Sequence, residues 1–330
     1  STAATCTPSR YSLLTGEHGF RVAADILEGD APLLIPPGKP TIASLLKRAG
    51  YVTAVVGKWH LGLGDGEMDW NTEISPGPLD IGFDYSYLLP ATGDRVPSVY
   101  VENRSGVDLD VSDPIEISYA GKVGTRPTGY ENPELLRFQA DPQHSDTIVN
   151  GVSRIGHMDG GESALWVDED FPDIFTAKAV QFIRENRDQP FFLFHSFHDI
   201  HVPRLPNGRF EGQSSMGPRG DAIVQTDWMV GEVIAELETL GIADNTLVIF
   251  TSDNGPVLDD GYADQAVELI GNHRPSGPFR GGKYSAYEAG TRIPTIVYWP
   301  GTVTARTSDA LLSQVDIYAS IAALVGAEIK

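Results

Sequence analysis

The chain has 330 residues, enough for one large α/β domain, and its apolar fraction of 41% suits an ordinary globular core. With 24 basic and 45 acidic residues its net charge is −21, which argues against nucleic acid as a partner and requires any anionic substrate to meet a locally basic site. The single cysteine excludes an intramolecular disulfide framework, and no apolar run approaches the roughly 18 to 20 residues needed to span a bilayer.

The sequence opens on STAATCTPSRYSLLTG. Pro8 suits the first position of a helix that can run to Leu14 with Gly16 as its cap. Cys6 is therefore expected at a helix N-terminus, where backbone N–H groups favour negative charge, with the Arg10 guanidinium one turn on. Such an electropositive mouth suits a group that will bear an anion; the plainer reading of Cys6 is a small buried hydrophobe. TIASLLKRAG (Thr41 to Gly50) reads as an amphipathic helix with a glycine stop. YVTAVVGKWHLG follows as a short buried strand that runs into a loop, where Lys58 and His60 lie between glycines that allow close approach to a ligand.

From Asp65 to about Asp168 the text turns to Gly, Pro, Asp and Asn with little periodicity, which reads as a loop-rich insertion over a functional site. FTAKAVQFIRENRD is then a helix leading into the strand PFFLFHSF, whose end carries HDIHVPR. Strand alternation assigns His195 to the core, leaving His198 and His201 beyond the strand end. A long helix, GDAIVQTDWMVGEVIAELETLGI, leads into NTLVIFTS, whose end places Asp253 and Asn254 as adjacent oxygen ligands for a hard cation, against the alternative of a simple turn. TRIPTIVYWPG is another strand, and DIYASIAALVG is a terminal helix. Glu288 and Arg292 read as a structural ion pair. This alternation predicts a largely parallel central sheet flanked by helices on both faces, in one domain spanning 1–330, with ligands bound beyond the carboxyl ends of the strands, where each polar cluster falls.

Cys-x-Pro-Ser-Arg, followed closely by a helix and Thr-Gly, resembles the signature of the formylglycine-dependent sulfatases of the alkaline phosphatase superfamily. GKWHLG, HVP, SDNG and GGKYSAYEAGTRIP support it in the expected order, so the resemblance covers essentially the whole chain. It implies an alkaline-phosphatase-like sulfatase core. It also implies that a formylglycine-generating enzyme converts Cys6 to Cα-formylglycine, whose hydrate supplies the nucleophilic oxygen. By the same resemblance Arg10, Lys58 and His60 surround that residue and the sulfate, Lys283 binds the sulfate, and His201 protonates the leaving alcohol. Asp253, Asn254 and residue 6 would hold calcium or magnesium, and His198 with Asp199 would orient His201 or touch the substrate.

The implied activity is sulfuric ester hydrolysis on a sulfated carbohydrate or aryl sulfate, by a periplasmic or secreted protein. Members of the family normally begin with a strand that ends in paired aspartates and finish with a smaller C-terminal subdomain. Neither is visible in this sequence, so one central strand and part of the metal shell are expected to be missing. Two other readings remain open. One is a phosphodiesterase or phosphonate monoester hydrolase of the same superfamily; the other is a non-catalytic fragment that binds anions and keeps Cys6 as a thiol.

Overall fold

A computed structural model of the chain describes residues 1–22, 25–66 and 68–329, so residue 67 of the 65–168 stretch and residues 23, 24 and 330 of the domain lie outside it. Helix α1 (Cys6–Thr15) begins at the cysteine and ends on Gly16, whose φ of 70° lets its N–H reach the Ser12 carbonyl at 2.9 Å. Thr41 caps α2 (Ile42–Arg48) in a reciprocal box with Ser44. In chain order there follow strands β1 (Val52–Lys58), β2 (Tyr85–Leu89), β3 (Val101–Glu102), β4 (Ser105–Gly106), β5 (Glu116–Ser118), β6 (Ile148–Val149), β7 (Val152–Ser153) and β8 (His157–Asp159). The remainder is α3 (Phe171–Asn186), β9 (Phe191–Ser196), α4 (Gly217–Thr239), β10 (Val248–Thr251), α5 (Glu288–Thr291), β11 (Thr295–Tyr298) and α6 (Gln314–Leu324).

The main sheet has the order β4-β3-β2-β1-β9. It is parallel at its centre, where β1 pairs with β2 and β9, and antiparallel where β3 and β4 are added at one edge. The alternation of β1 explains helices on both faces. Val55 packs with Tyr11 and Leu14 of α1, whereas Val56 packs with Phe175 of α3 and Met229 of α4. Ile317 and Tyr318 of α6 close over Ile42, Leu45 and Leu46 of α2.

The loop-rich stretch from 65 to 168 also carries regular structure: β2, β3 and β4 belong to the main sheet, and β5 with β8 and β6 with β7 form two small antiparallel pairs. Gly57 serves a different purpose from the one expected. A Cβ there would lie 2.0 Å from the Ser196 carbonyl, so its lack of a side chain lets β1 lie against β9 and does not admit a ligand.

Among the described residues no strand pairs with the outer edge of β9, and β10 with β11 forms a separate antiparallel ribbon. The segment after β9, the inner face of α4 and this ribbon enclose a cavity of about 730 Å³. Its lining combines apolar side chains, among them Phe197, Ile223, Val230, Ile234, Phe250 and Ile296, with the polar clusters at the strand ends.

Candidate active site

Cys6 is the first residue of α1 and is 2% exposed. Its Sγ accepts a hydrogen bond from Lys58 Nζ at 3.2 Å, at the carboxyl end of β1. Arg10 lies one turn along the same helix. Its Nε donates to Asp253 Oδ2 at 2.9 Å, and its Nη1 donates to the Lys58 carbonyl at 2.8 Å and to Ser196 Oγ at 2.5 Å. One guanidinium thus ties together α1 and the ends of β1, β9 and β10. Lys58 Nζ is also 3.9 Å from Asp253 Oδ2. Burial lowers the pKa of the Lys58 ammonium, opposed by the charges of Cys6 and Asp253. For Asp253 burial works upward, but Arg10, Lys58 and Lys283 hold its carboxyl far below the usual range. Three cations around one carboxylate make an electropositive pocket in a strongly acidic chain, and such a pocket can hold an anion.

The two histidines divide their ring nitrogens clearly. Backbone carbonyls only accept hydrogen bonds, so the contact of His201 Nδ1 with the Val202 carbonyl at 2.7 Å assigns the proton to Nδ1. Nε2 is then the free lone pair, 3.3 Å from Lys283 Nζ. Burial, with Lys283 and Lys58, keeps this ring neutral by lowering its pKa well below the ordinary value, while Asp94 pulls the other way. His60 is the mirror case. Its Nε2 donates to the Leu27 carbonyl at 3.0 Å, and its buried Nδ1 has no partner among the described residues. Burial and the charges of Lys58 and Arg95 depress its pKa in the same way.

Cys6, Arg10, Lys58, His201, Asp253, Asn254 and Lys283 line one cavity. His60 stands behind α1, linked to it by the Thr7 hydroxyl, which donates to the His60 carbonyl at 3.0 Å. His195 takes no part: both ring nitrogens are buried without partners among the described residues, and burial lowers its pKa to about 3. His198 lines the cavity, its ring 5.9 Å from that of His201. Asp199 is instead anchored to α4, accepting from Gln225 Nε2 at 2.7 Å. Glu288 and Arg292 form the expected ion pair across α5.

Asp253 and Asn254 present two neighbouring oxygens, and the buried Asn254 Oδ1 has no hydrogen-bond donor among the described residues. An orphaned amide oxygen beside a deprotonated carboxylate fits one side of a hard-cation shell. Among the described residues no group of three or more His, Cys, Asp or Glu side chains could hold a metal.

Four charged or titratable residues near this site were not anticipated. Asp94 and Arg95 follow β2 and pair, with Arg95 Nη1 3.0 Å from both carboxylate oxygens. His144 bridges Asp94 and Asp141, with Nε2 3.4 Å from Asp94 Oδ2 and Nδ1 2.7 Å from Asp141 Oδ1. The loops after β1 and β2 run side by side, the His60 N–H donating to the Pro90 carbonyl at 3.0 Å, and this brings the Asp94 turn beside the site. Asp260 accepts from Lys283 Nζ at 2.6 Å. No local motif marks any of the four; each becomes visible only when separate loops meet.

The sulfatase family model matches residues 1–327. The chain is 54% identical over 327 residues to an N-acetylgalactosamine-6-O-sulfatase of Bacteroides thetaiotaomicron, a match covering 98% of this chain and 64% of that protein. It is 32% identical over 348 residues to the steryl-sulfatase of Rattus norvegicus, covering 98% of this chain and 59% of the relative. A solved structure from work on the metabolism of multiple glycosaminoglycans by Bacteroides thetaiotaomicron superposes with a TM-score of 0.98 at 53% identity, covering all of this chain and 69% of that one. The chain therefore spans less than two thirds of the length of both curated relatives.

Proposed function

Since the chain belongs to the sulfatase family, we propose that its site hydrolyses the sulfate ester of a sulfated carbohydrate through an oxygen nucleophile made from Cys6. The observation that carries this reading is one cavity lined by Cys6, Arg10, Lys58, Lys283 and His201, with Lys58 Nζ on Cys6 Sγ at the mouth of α1 and Lys283 Nζ beside His201 Nε2. A phosphodiesterase or phosphonate ester hydrolase would need the same basic corner; identity of 54% to a carbohydrate sulfatase favours the sulfate ester. That relative's name makes N-acetylgalactosamine 6-sulfate the first substrate to try.

In this reading the Cys6 thiol stands where an aldehyde hydrate would sit after conversion by a formylglycine-generating enzyme. Such a hydrate offers one oxygen to attack sulfur and a second hydroxyl through which sulfate is later expelled. Calcium held by Asp253 and Asn254 would polarise the nucleophile and the sulfuryl oxygens. The protein's own groups do the rest. Arg10, Lys58 and Lys283 offset charge on the sulfuryl oxygens as it redistributes. In this reading His60, whose Nδ1 lone pair has no partner among the described residues, takes the proton of the second hydroxyl. His201 gives one to the departing alcohol from Nε2, which requires the imidazolium form; the ester's negative charge favours that form, countering the burial and the lysines that keep the ring neutral. The 65–168 stretch, whose largely buried Asp94–Arg95 pair packs beside this corner, would supply recognition of the sugar.

The deciding experiment joins two measurements on protein produced with the converting enzyme. Mass analysis of the Cys6 peptide should show the loss expected when CH2SH becomes CHO. Sulfate release from N-acetylgalactosamine 6-sulfate should exceed phosphate diester turnover. An unmodified thiol together with no release from any sulfate ester would leave the anion-binding reading standing.

A further inference from the structure

We propose that Asp260 is a positioning residue for proton delivery to the leaving alcohol, acting by holding Lys283 against His201. The proposal rests on the sulfatase reading above. Asp260 lies on the loop that follows the Asp253–Asn254 turn, outside every motif of the sequence. Its two carboxylate oxygens are divided between neighbouring residues, Oδ2 accepting from Lys283 Nζ at 2.6 Å and Oδ1 from the Tyr284 hydroxyl at 2.9 Å. The paired side chains are 11% and 4% exposed, so solvent does little to loosen them.

An ammonium on a four-carbon stem has many rotamers and three donors, and carries no direction of its own. Here one N–H is committed to Asp260, and Nζ sits 3.3 Å from His201 Nε2. The other histidine nitrogen is already spent on the Val202 carbonyl. The Lys283–His201 pair therefore stores a proton on the side of the cavity where the ester oxygen must leave. As the S–O bond breaks, its electron pair stays on that oxygen, an N–H bond of the pair breaks and an O–H bond forms; water later returns the proton. Asp260 forms no bond to the substrate in this step. It fixes which way Lys283 points.

A role of this kind makes the defect depend on the leaving group. A sugar alkoxide needs its proton, whereas 4-nitrophenolate leaves without one. For Asp260→Asn we expect the ratio of kcat/KM on N-acetylgalactosamine 6-sulfate to that on 4-nitrophenyl sulfate to fall about tenfold or more, part of the 10²–10⁴ that general acid catalysis contributes. Asp260→Glu should restore most of the ratio. Equal losses on both esters, or the same ratio in the Asn and Glu variants, would overturn the proposal. Nitrogen-15 NMR of His201 gives a reading independent of turnover, because the Nε2 resonance should report a hydrogen bond accepted from Lys283 in the parent, lose it in Asp260→Asn and regain it in Asp260→Glu. If the parent released sulfate from neither ester, the functional reading would fail, and an unchanged Nε2 signal would separately reject the role of Asp260.

Discussion

At position 6 the side chain meets an ammonium at 3.2 Å and a helix N-terminus, and the proposed chemistry depends on what that side chain becomes. Cys6→Ala should abolish sulfate release while leaving the fold intact, as read by activity alongside the thermal unfolding midpoint; full activity in the variant would reject the mechanism. Cys6→Ser should also be severely impaired, since a serine sulfate ester has no second hydroxyl with which to expel sulfate. His144 allows a separate test. Burial works against its charge, but Asp94 and Asp141 raise its pKa above the ordinary 6.5. A raised folded-state pKa contributes stability that is fully present below about pH 6.5 and is lost as pH rises through the folded value. Denaturant unfolding of the parent minus that of His144→Gln should thus shrink with pH above 6.5; a difference independent of pH would refute it. Cys6, Arg10, Lys58, His201, Asp253, Asn254 and Lys283 were all legible because each lies in a short motif at a strand or helix end. Asp94, His144 and Asp260 were not, since their significance comes from contacts between loops distant in sequence.

Elements were readable to the extent that their periods were clean. Helices α2, α3, α4 and α6 follow the 3.6-residue pattern, and β1, β9 and β10 are short apolar runs between turn signals. Strand β2 was hidden in DYSYLLP, where tyrosines and a serine blur the pattern, although both its neighbours pair with it inside the main sheet. What ties the surrounding stretch to the core is equally invisible in sequence. Arg154 and Asp168 form a bidentate ion pair, at 2.8 and 2.7 Å, with side chains 0% and 1% exposed. The same guanidinium holds the carbonyls of Gly93 and Val149. Removing one partner leaves a buried charge uncompensated, so Arg154→Met should cost about 3 to 5 kcal/mol of stability. The double change Arg154→Met with Asp168→Leu should recover much of that loss. Urea midpoints decide it, and a single-variant loss below about 1 kcal/mol, the level of an exposed pair, would show that the pair does not anchor this stretch.

Across the whole molecule, the charge distribution governs metal affinity. The net charge of −21 favours cations at long range, yet the candidate metal position lies inside the most basic part of the chain. Asp253 already accepts from Arg10 and has Lys58 3.9 Å away, so an incoming divalent ion would compete with two fixed cations for one carboxylate. Asn254 adds a neutral oxygen. Calcium normally takes about six to eight oxygens, several of them carboxylates, whereas these two residues supply one formal negative charge. Water can complete such a shell only at reduced affinity. The 330-residue chain by itself should therefore bind calcium weakly, with a dissociation constant well above micromolar, and Asp253→Asn should weaken it further. Calorimetric titration is the direct check. A site at about micromolar or tighter, the range of sensor sites, would mean that other oxygens of this chain complete the shell, and the account of its basic corner would have to be redrawn.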